Sequence, residues 1–236
     1  VVVIDASASQ ERVLPAARAA ARVSAVASAG EDRVAVVSFS EKPNYLQVLT
    51  TDLTAAGRAI DQVRFDPPPG YVGGGAVVST GPTKPGPVPG STSLWDVIRN
   101  ATTELFDARP DGRRRTMLLF TDGTDTSSAS KLNRAIEDAN KYDLSVFVIG
   151  LADTENFLME EEPLKKLSEQ TGGIVRFPGK KKEKLEAALT EIARNFRGNY
   201  VVGYCGGAAK DRAKLQLEIV DPEIRKAKPV LAYKRY

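Results

Sequence analysis

Histidine is missing from all 236 residues. With it go the usual general base, the Ser-His and Cys-His nucleophile pairs and the commonest zinc ligand. Cysteine is nearly missing too: Cys205 stands alone, which excludes an intrachain disulfide and a thiolate metal site and leaves it the role of a small buried apolar residue. No apolar run reaches the ~18 residues needed to span a bilayer. Charge of one sign is also lacking, since 33 basic and 30 acidic residues leave a formal +3. That balance gives no electrostatic footprint for nucleic acid, and the one basic run, GKKKEK at 179–184, reads as the solvated start of a helix. There is no initiator Met and no signal peptide, and the first residues already look like a strand, as expected of a piece of a longer protein.

What is present alternates. VVVID (1–5), DRVAVVSFS (32–40), RTMLLFTDG (115–123) and LSVFVIGLA (144–152) read as buried strands, with YLQVLTTD (45–52) as a short edge strand and IVRFP (174–178) as a short one. Between them the helical pattern falls on 13–30, 53–65, 91–108, 128–143, 161–173 and 182–196. Strands alternating with helices predict a mainly parallel α/β sheet. Residues 66–90 break the rhythm with seven prolines and seven glycines and read as a long mobile loop without a helix. The GGG inside it lacks the strand–glycine–helix setting of a phosphate cradle. After 198 the character changes: NYVVGYC, AKLQLEIVD and KPVLAYKRY have no helices between them, so the expectation is a body of 1–198 and an antiparallel β appendage of 199–236.

The first strand runs straight into Asp5, with hydroxyls at Ser7 and Ser9. A buried carboxylate is costly unless it is paired or holds a cation. Thr92 opens the SLWDVI helix, and Asp122 closes MLLFTD. In an open parallel sheet the carboxyl ends of strands border one crevice, so these five groups are expected to converge. Two carboxylates and three hydroxyls, with neither sulfur nor imidazole, suit a hard divalent cation: Mg²⁺ first, with Mn²⁺ and Ca²⁺ also fitting. Singly, each residue has a plainer reading, as a helix cap for Ser7, Ser9 or Thr92 and as turn chemistry for Asp122 before Gly123. Together they favour the metal.

DASAS (5–9), GSTSLWD (90–96) and LLFTDGTD (118–125) resemble the metal-ion-dependent adhesion site of von Willebrand factor type A domains, with DRVAVVSF, VFVIGL and LKKLSEQTGG similar to supporting stretches of that family over roughly residues 1–198. The tail is similar to that of the von Willebrand factor A-related proteins of Acidobacteria. That resemblance implies a Rossmann-like, doubly wound sheet, mostly parallel with one antiparallel edge strand and helices on both faces. It implies binding rather than catalysis, with Asp5, Ser7, Ser9, Thr92 and Asp122 around the ion and a partner protein presenting an exposed Asp or Glu. It also implies an extracytoplasmic location. The tail strands are expected to leave an edge open for self-association. The alternative from another class is a metal-assisted hydrolase of phosphate esters. No activated nucleophile is evident for it, and Asp125, the one spare acid of the motif, reads more simply as a cap or turn residue.

Overall fold

Alternate residues of the central strands face opposite ways, and both ways are apolar. Val2, Ile4, Val34, Val36, Leu118, Phe120, Phe147 and Ile149 join one buried cluster, whereas Val3, Val37, Phe39, Met117, Leu119, Val146 and Val148 join another. A sheet apolar on both faces must be covered on both faces. In the computed structural model, which describes residues 1–26, 32–67, 70–73, 76–77, 92–106, 112–152, 158–179, 181–198 and 220–222, helices do this from either side.

The sheet consists of β1 (Val2–Asp5), β2 (Val34–Phe39), β3 (Pro43–Thr50), β6 (Arg115–Thr121), β7 (Leu144–Gly150) and β8 (Val175–Arg176), in the order β3-β2-β1-β6-β7-β8. All neighbours run parallel except β2 and β3, so β3 is the single antiparallel edge. Three helices cover the face of Val2 and Ile4: α1 (Leu14–Val26) through Leu14 and a row of alanines, α2 (Leu53–Gln62) through Ile60, and α6 (Lys182–Gly198) through Leu185, Leu189 and Ile192. The other face carries α3 (Leu94–Leu105), α4 (Leu132–Lys141) and α5 (Glu161–Thr171) through Leu94, Ile98, Ile136, Leu164 and Leu167. Burying each such aliphatic side chain contributes roughly 1.5–3 kcal/mol, which is the main source of the sheet's rigidity. The expected doubly wound, mostly parallel architecture is therefore observed.

Three expectations need correction. The glycine- and proline-rich stretch is not loop throughout: β4 (Tyr71–Gly73) and β5 (Ala76–Val77) form a small antiparallel hairpin. Tyr71 supplies the apolar anchor, its ring meeting Phe65 edge-on at 5.2 Å, and its hydroxyl bonds Glu11 at 2.5 Å. The helix expected from 128 begins only at Leu132, because the serines before it serve another helix. The strand expected over 174–178 is confined to Val175–Arg176, where its pairing with β7 ends. All of 78–91, and all but 220–222 of the tail expected as a β appendage, lie outside the described residues.

Candidate metal centre

Strand order dictates where a site can form. The chain leaves β1 for β2 on one side, and β6 lies on the other side of β1, so the order reverses between β1 and β6. The crevice outside their carboxyl ends is the place where such sheets take ligands. Asp5 ends β1 there, and Asp122 follows the last residue of β6; their exposures are 1% and 0%.

Each side chain is held by its immediate sequence. Past Asp5 the backbone turns so that the Ser7 amide donates to Asp5 Oδ1 at 3.0 Å, an Asx turn. A single 3-10 turn, Ala8–Gln10, follows and brings the Ser7 and Ser9 hydroxyls within 3.2 Å of one another. Across the strand pair, Thr121 Oγ1 donates to Asp5 Oδ2 at 2.7 Å and accepts from the Gly123 amide at 3.1 Å. Asp122 Oδ1 accepts from the Thr124 amide at 2.9 Å, and Asp122 Oδ2 from the Gln10 amide group at 3.0 Å. Every oxygen of the two carboxylates thus accepts at least one hydrogen bond.

The electrostatics ask for a cation. Burial, and after it the charge of Asp122, push the Asp5 carboxyl up to about 7, against the opposing hydrogen bonds from Ser7 and Thr121. No Lys or Arg among the described residues pairs with either carboxylate. Two buried like charges without a positive partner cost several kcal/mol unless a proton or metal intervenes. The donor set is all oxygen, so these residues fit a hard divalent ion. They include no group of three or more His, Cys, Asp or Glu among the described residues, and any ion here leans on hydroxyls as well as carboxylates.

Thr92 is held by a different set of contacts. It is 4% exposed, just before α3, and it is tied on both sides by backbone. Its amide donates to Thr126 Oγ1 at 2.8 Å, its carbonyl accepts from the Thr126 and Ser127 amides at 2.9 and 3.2 Å, and Ser93 N donates to the Ser40 carbonyl beyond β2 at 3.1 Å. The structure brings Asp5, Ser7, Ser9 and Asp122 into one connected network. Among the described residues no hydrogen bond joins the Thr92 hydroxyl to those four.

The loop after β6 caps α3 in place of the helix's own residues. Ser128 Oγ accepts from the Trp95 and Asp96 amides, each at 3.1 Å, and Ser93 Oγ pairs with Ser127 Oγ at 2.7 Å. Asp96 returns the favour by accepting from the Ala129 and Ser130 amides at 2.7 and 3.0 Å. Asp125 accepts from the Ser128 hydroxyl at 2.5 Å; burial, the larger influence, holds its carboxyl above its ordinary value, against that bond and those from the Trp95 and Leu94 amides. The plain cap reading of Asp125 is the one observed.

The described start of the 66–90 stretch borders the same crevice. Asp66 N donates to the Ala6 carbonyl at 3.0 Å, and Ser40 Oγ donates to Asp66 Oδ2 at 2.5 Å. Sequence reasoning missed Gln10 and Thr121. A signal for Gln10 was there: a polar residue directly after the serines, at the point where the chain enters an apolar helix.

Gly123 fixes the turn after Asp122. Its φ is +88°, and a Cβ there would lie 2.6 Å from the Glu160 carbonyl oxygen. Gly123→Ala is expected to destabilise the protein by about 1–3 kcal/mol, read as a lower chemical-denaturation midpoint. An unchanged midpoint would show that the turn can relax.

The profile of the von Willebrand factor type A domain family matches residues 1–124, and a second profile of the same description matches residues 87–195. No curated protein sequence matches the chain. Among solved structures, a von Willebrand factor type A protein from Catenulispora acidiphila has a TM-score of 0.63 at 19% identity, covering 85% of this chain and 42% of that one. BatB from Bacteroides thetaiotaomicron, a conserved hypothetical protein, has a TM-score of 0.61 at 17% identity, covering 84% and 98%. Proximal thread matrix protein 1 from the mussel byssus, with a zinc-occupied MIDAS motif, has a TM-score of 0.59 at 16% identity, covering 82% and 44%. The chain therefore spans less than half the length of the first and third of these. At such identities the likeness is one of fold.

Proposed function

The chain belongs to the von Willebrand factor type A domain family, and from that premise we propose that it is a metal-dependent protein-interaction module whose adhesion site is formed by Asp5, Ser7, Ser9, Thr92 and Asp122. The observation that carries this reading is the pair of buried carboxylates, Asp5 and Asp122, with no cationic partner among the described residues. Mg²⁺ is the proposed resident ion. The zinc in the mussel protein's motif makes Zn²⁺ the other ion to test.

Asp5 and Asp122 together balance a divalent charge, and Ser7, Ser9 and Thr92 add only neutral oxygens. When bound, the ion supplies an electrophilic position that can accept one further anionic oxygen. A carboxylate gains more Coulomb energy there than a neutral carbonyl at the same distance. The partner is accordingly a protein with an exposed Asp or Glu. We assign the metal face to the body of 1–198, with 199–236 as an appendage. Among the described residues no helix is long and apolar enough to cross a membrane, and an extracytoplasmic setting goes with the proposal. The chain is read as a binder and not as an enzyme: Asp125, the acid a hydrolase could have used, is spent on capping α3.

The test is a short Asp-containing peptide titrated into Mg²⁺- or Mn²⁺-loaded protein, followed by amide shifts at Ser7, Ser9 and Thr92. Shifts that vanish with EDTA, and that an Asn analogue does not produce, are expected. Equal shifts from both peptides, or shifts that survive chelation, would overturn acidic capture. Turnover of a phosphate ester that requires Mg²⁺ or Mn²⁺ would favour the hydrolase.

A further inference from the structure

Gln10 is 1% exposed and sits outside the five-residue set, yet its side chain touches three strand ends. Nε2 lies 3.0 Å from Asp122 Oδ2, 3.3 Å from Ser9 Oγ and 3.3 Å from the carbonyl oxygen of Leu151, the residue after β7. Two of these three atoms are obligate acceptors. The amide orientation is therefore forced: turned over, the side-chain carbonyl would face a carboxylate and a backbone carbonyl at close range.

The turn that carries Gln10 explains why it can reach. The 3-10 segment Ala8–Gln10 bends the chain across the crevice immediately after Ser9, and the Gln10 amide is closed onto the Ser7 carbonyl at 2.9 Å. The same rigid turn thus sets Ser9 and Gln10 together. From there one side chain holds a hydroxyl from the β1 end and a carboxylate from the β6 end, and uses the β7 end as its anchor. The Leu151 amide in turn donates to the Thr121 carbonyl at 2.9 Å, so the anchor is itself tied to the end of β6.

We propose that Gln10 is the positioning residue of the metal centre: its amide group fixes Asp122 and Ser9 in one geometry before an ion arrives, and so sets how tightly the ion is held. The proposal rests on the metal reading of Asp5 and Asp122. A donor to Asp122 Oδ2 restricts the carboxylate's rotation and leaves a defined lone pair facing the crevice. Groups that orient metal ligands in this way are typically worth a ten- to hundredfold change in affinity.

The substitution that tests it is Gln10→Met, which keeps length and volume but donates no hydrogen bond. Calorimetry with Mg²⁺, Mn²⁺ and Zn²⁺ on wild type and variant, together with the melting temperature of the metal-free proteins, supplies two independent readouts. Affinity is expected to fall at least tenfold. A core variant outside the crevice, Ile60→Val in α2, matches any general loss of stability and should bind like wild type. Wild-type affinity in Gln10→Met would overturn the positioning role while leaving the metal reading intact. A drop in melting temperature with unchanged affinity would do the same, since it marks a merely structural role. Wild-type protein that binds none of the three ions would overturn the metal reading, and this inference with it.

Discussion

Asp122→Asn is expected to weaken divalent-cation binding at least a hundredfold while leaving the metal-free protein as stable as wild type, or more so. The two halves of this result have one cause. Asp122 is fully buried and faces Asp5 with no cationic partner among the described residues. Without metal, removing its charge relieves the repulsion that burial magnifies; with metal, it removes half of the charge that balances the ion. Asn keeps an oxygen for the Thr124 amide, so the turn before Gly123 survives; its NH2 then faces the Gln10 amide, and the loss of that one hydrogen bond offsets part of the relief without exceeding it. Calorimetry with Mg²⁺ and Mn²⁺ measures the first half and thermal unfolding in EDTA the second. A variant that binds as wild type does would show that Asp122 is no ligand. A large loss of stability in EDTA would show that the aspartate is held mainly for its hydrogen bonds.

The second large effect is on pH. The Asp5 carboxyl is pushed up from 3.8 to about 7 by burial and then by Asp122. Because the folded protein holds this proton more tightly than the unfolded chain does, the group's contribution to metal-free stability falls as pH rises from about 4 to about 7, and the penalty is complete above 7. A cation competes with that proton. Affinity should therefore climb about tenfold per pH unit below 7 and level off above it, a gain on the order of a hundredfold between pH 5 and 8. The metal-induced rise in melting temperature should be small at pH 5 and large at pH 8. A flat profile across that range would mean that Asp5 is ionised in the metal-free protein throughout.

Much of the architecture was legible because it is written in local chemistry. Strands buried on both faces must be continuous apolar runs, and VVVID, VAVVSF, MLLF and VFVIG are such runs. Asp5 and Asp122 stood out for the same reason, as carboxylates where an apolar strand stops. The errors fall where a residue serves a partner distant in sequence. Ser128 and Ser130 look like the start of α4, but they cap and pin α3, more than thirty residues earlier. Gln10 stands out as a polar residue after the serines, but what it binds is decided only when the ends of β6 and β7 lie beside it. The hairpin of β4 and β5 was hidden because glycine and proline dominate its surroundings, and the contacts that favour so short a pair, Tyr71 on Phe65 and on Glu11, are distant in sequence or not visible in it.

The start of α3 is fastened from downstream by Thr126, Ser127 and Ser128, and from the end of β2 by the Ser40 carbonyl. Its capping thus belongs to neighbours in space rather than to its own first residues. For evolution this ties together two segments more than thirty residues apart: a change in the loop after β6 alters the start of α3 as well, so the two must vary together.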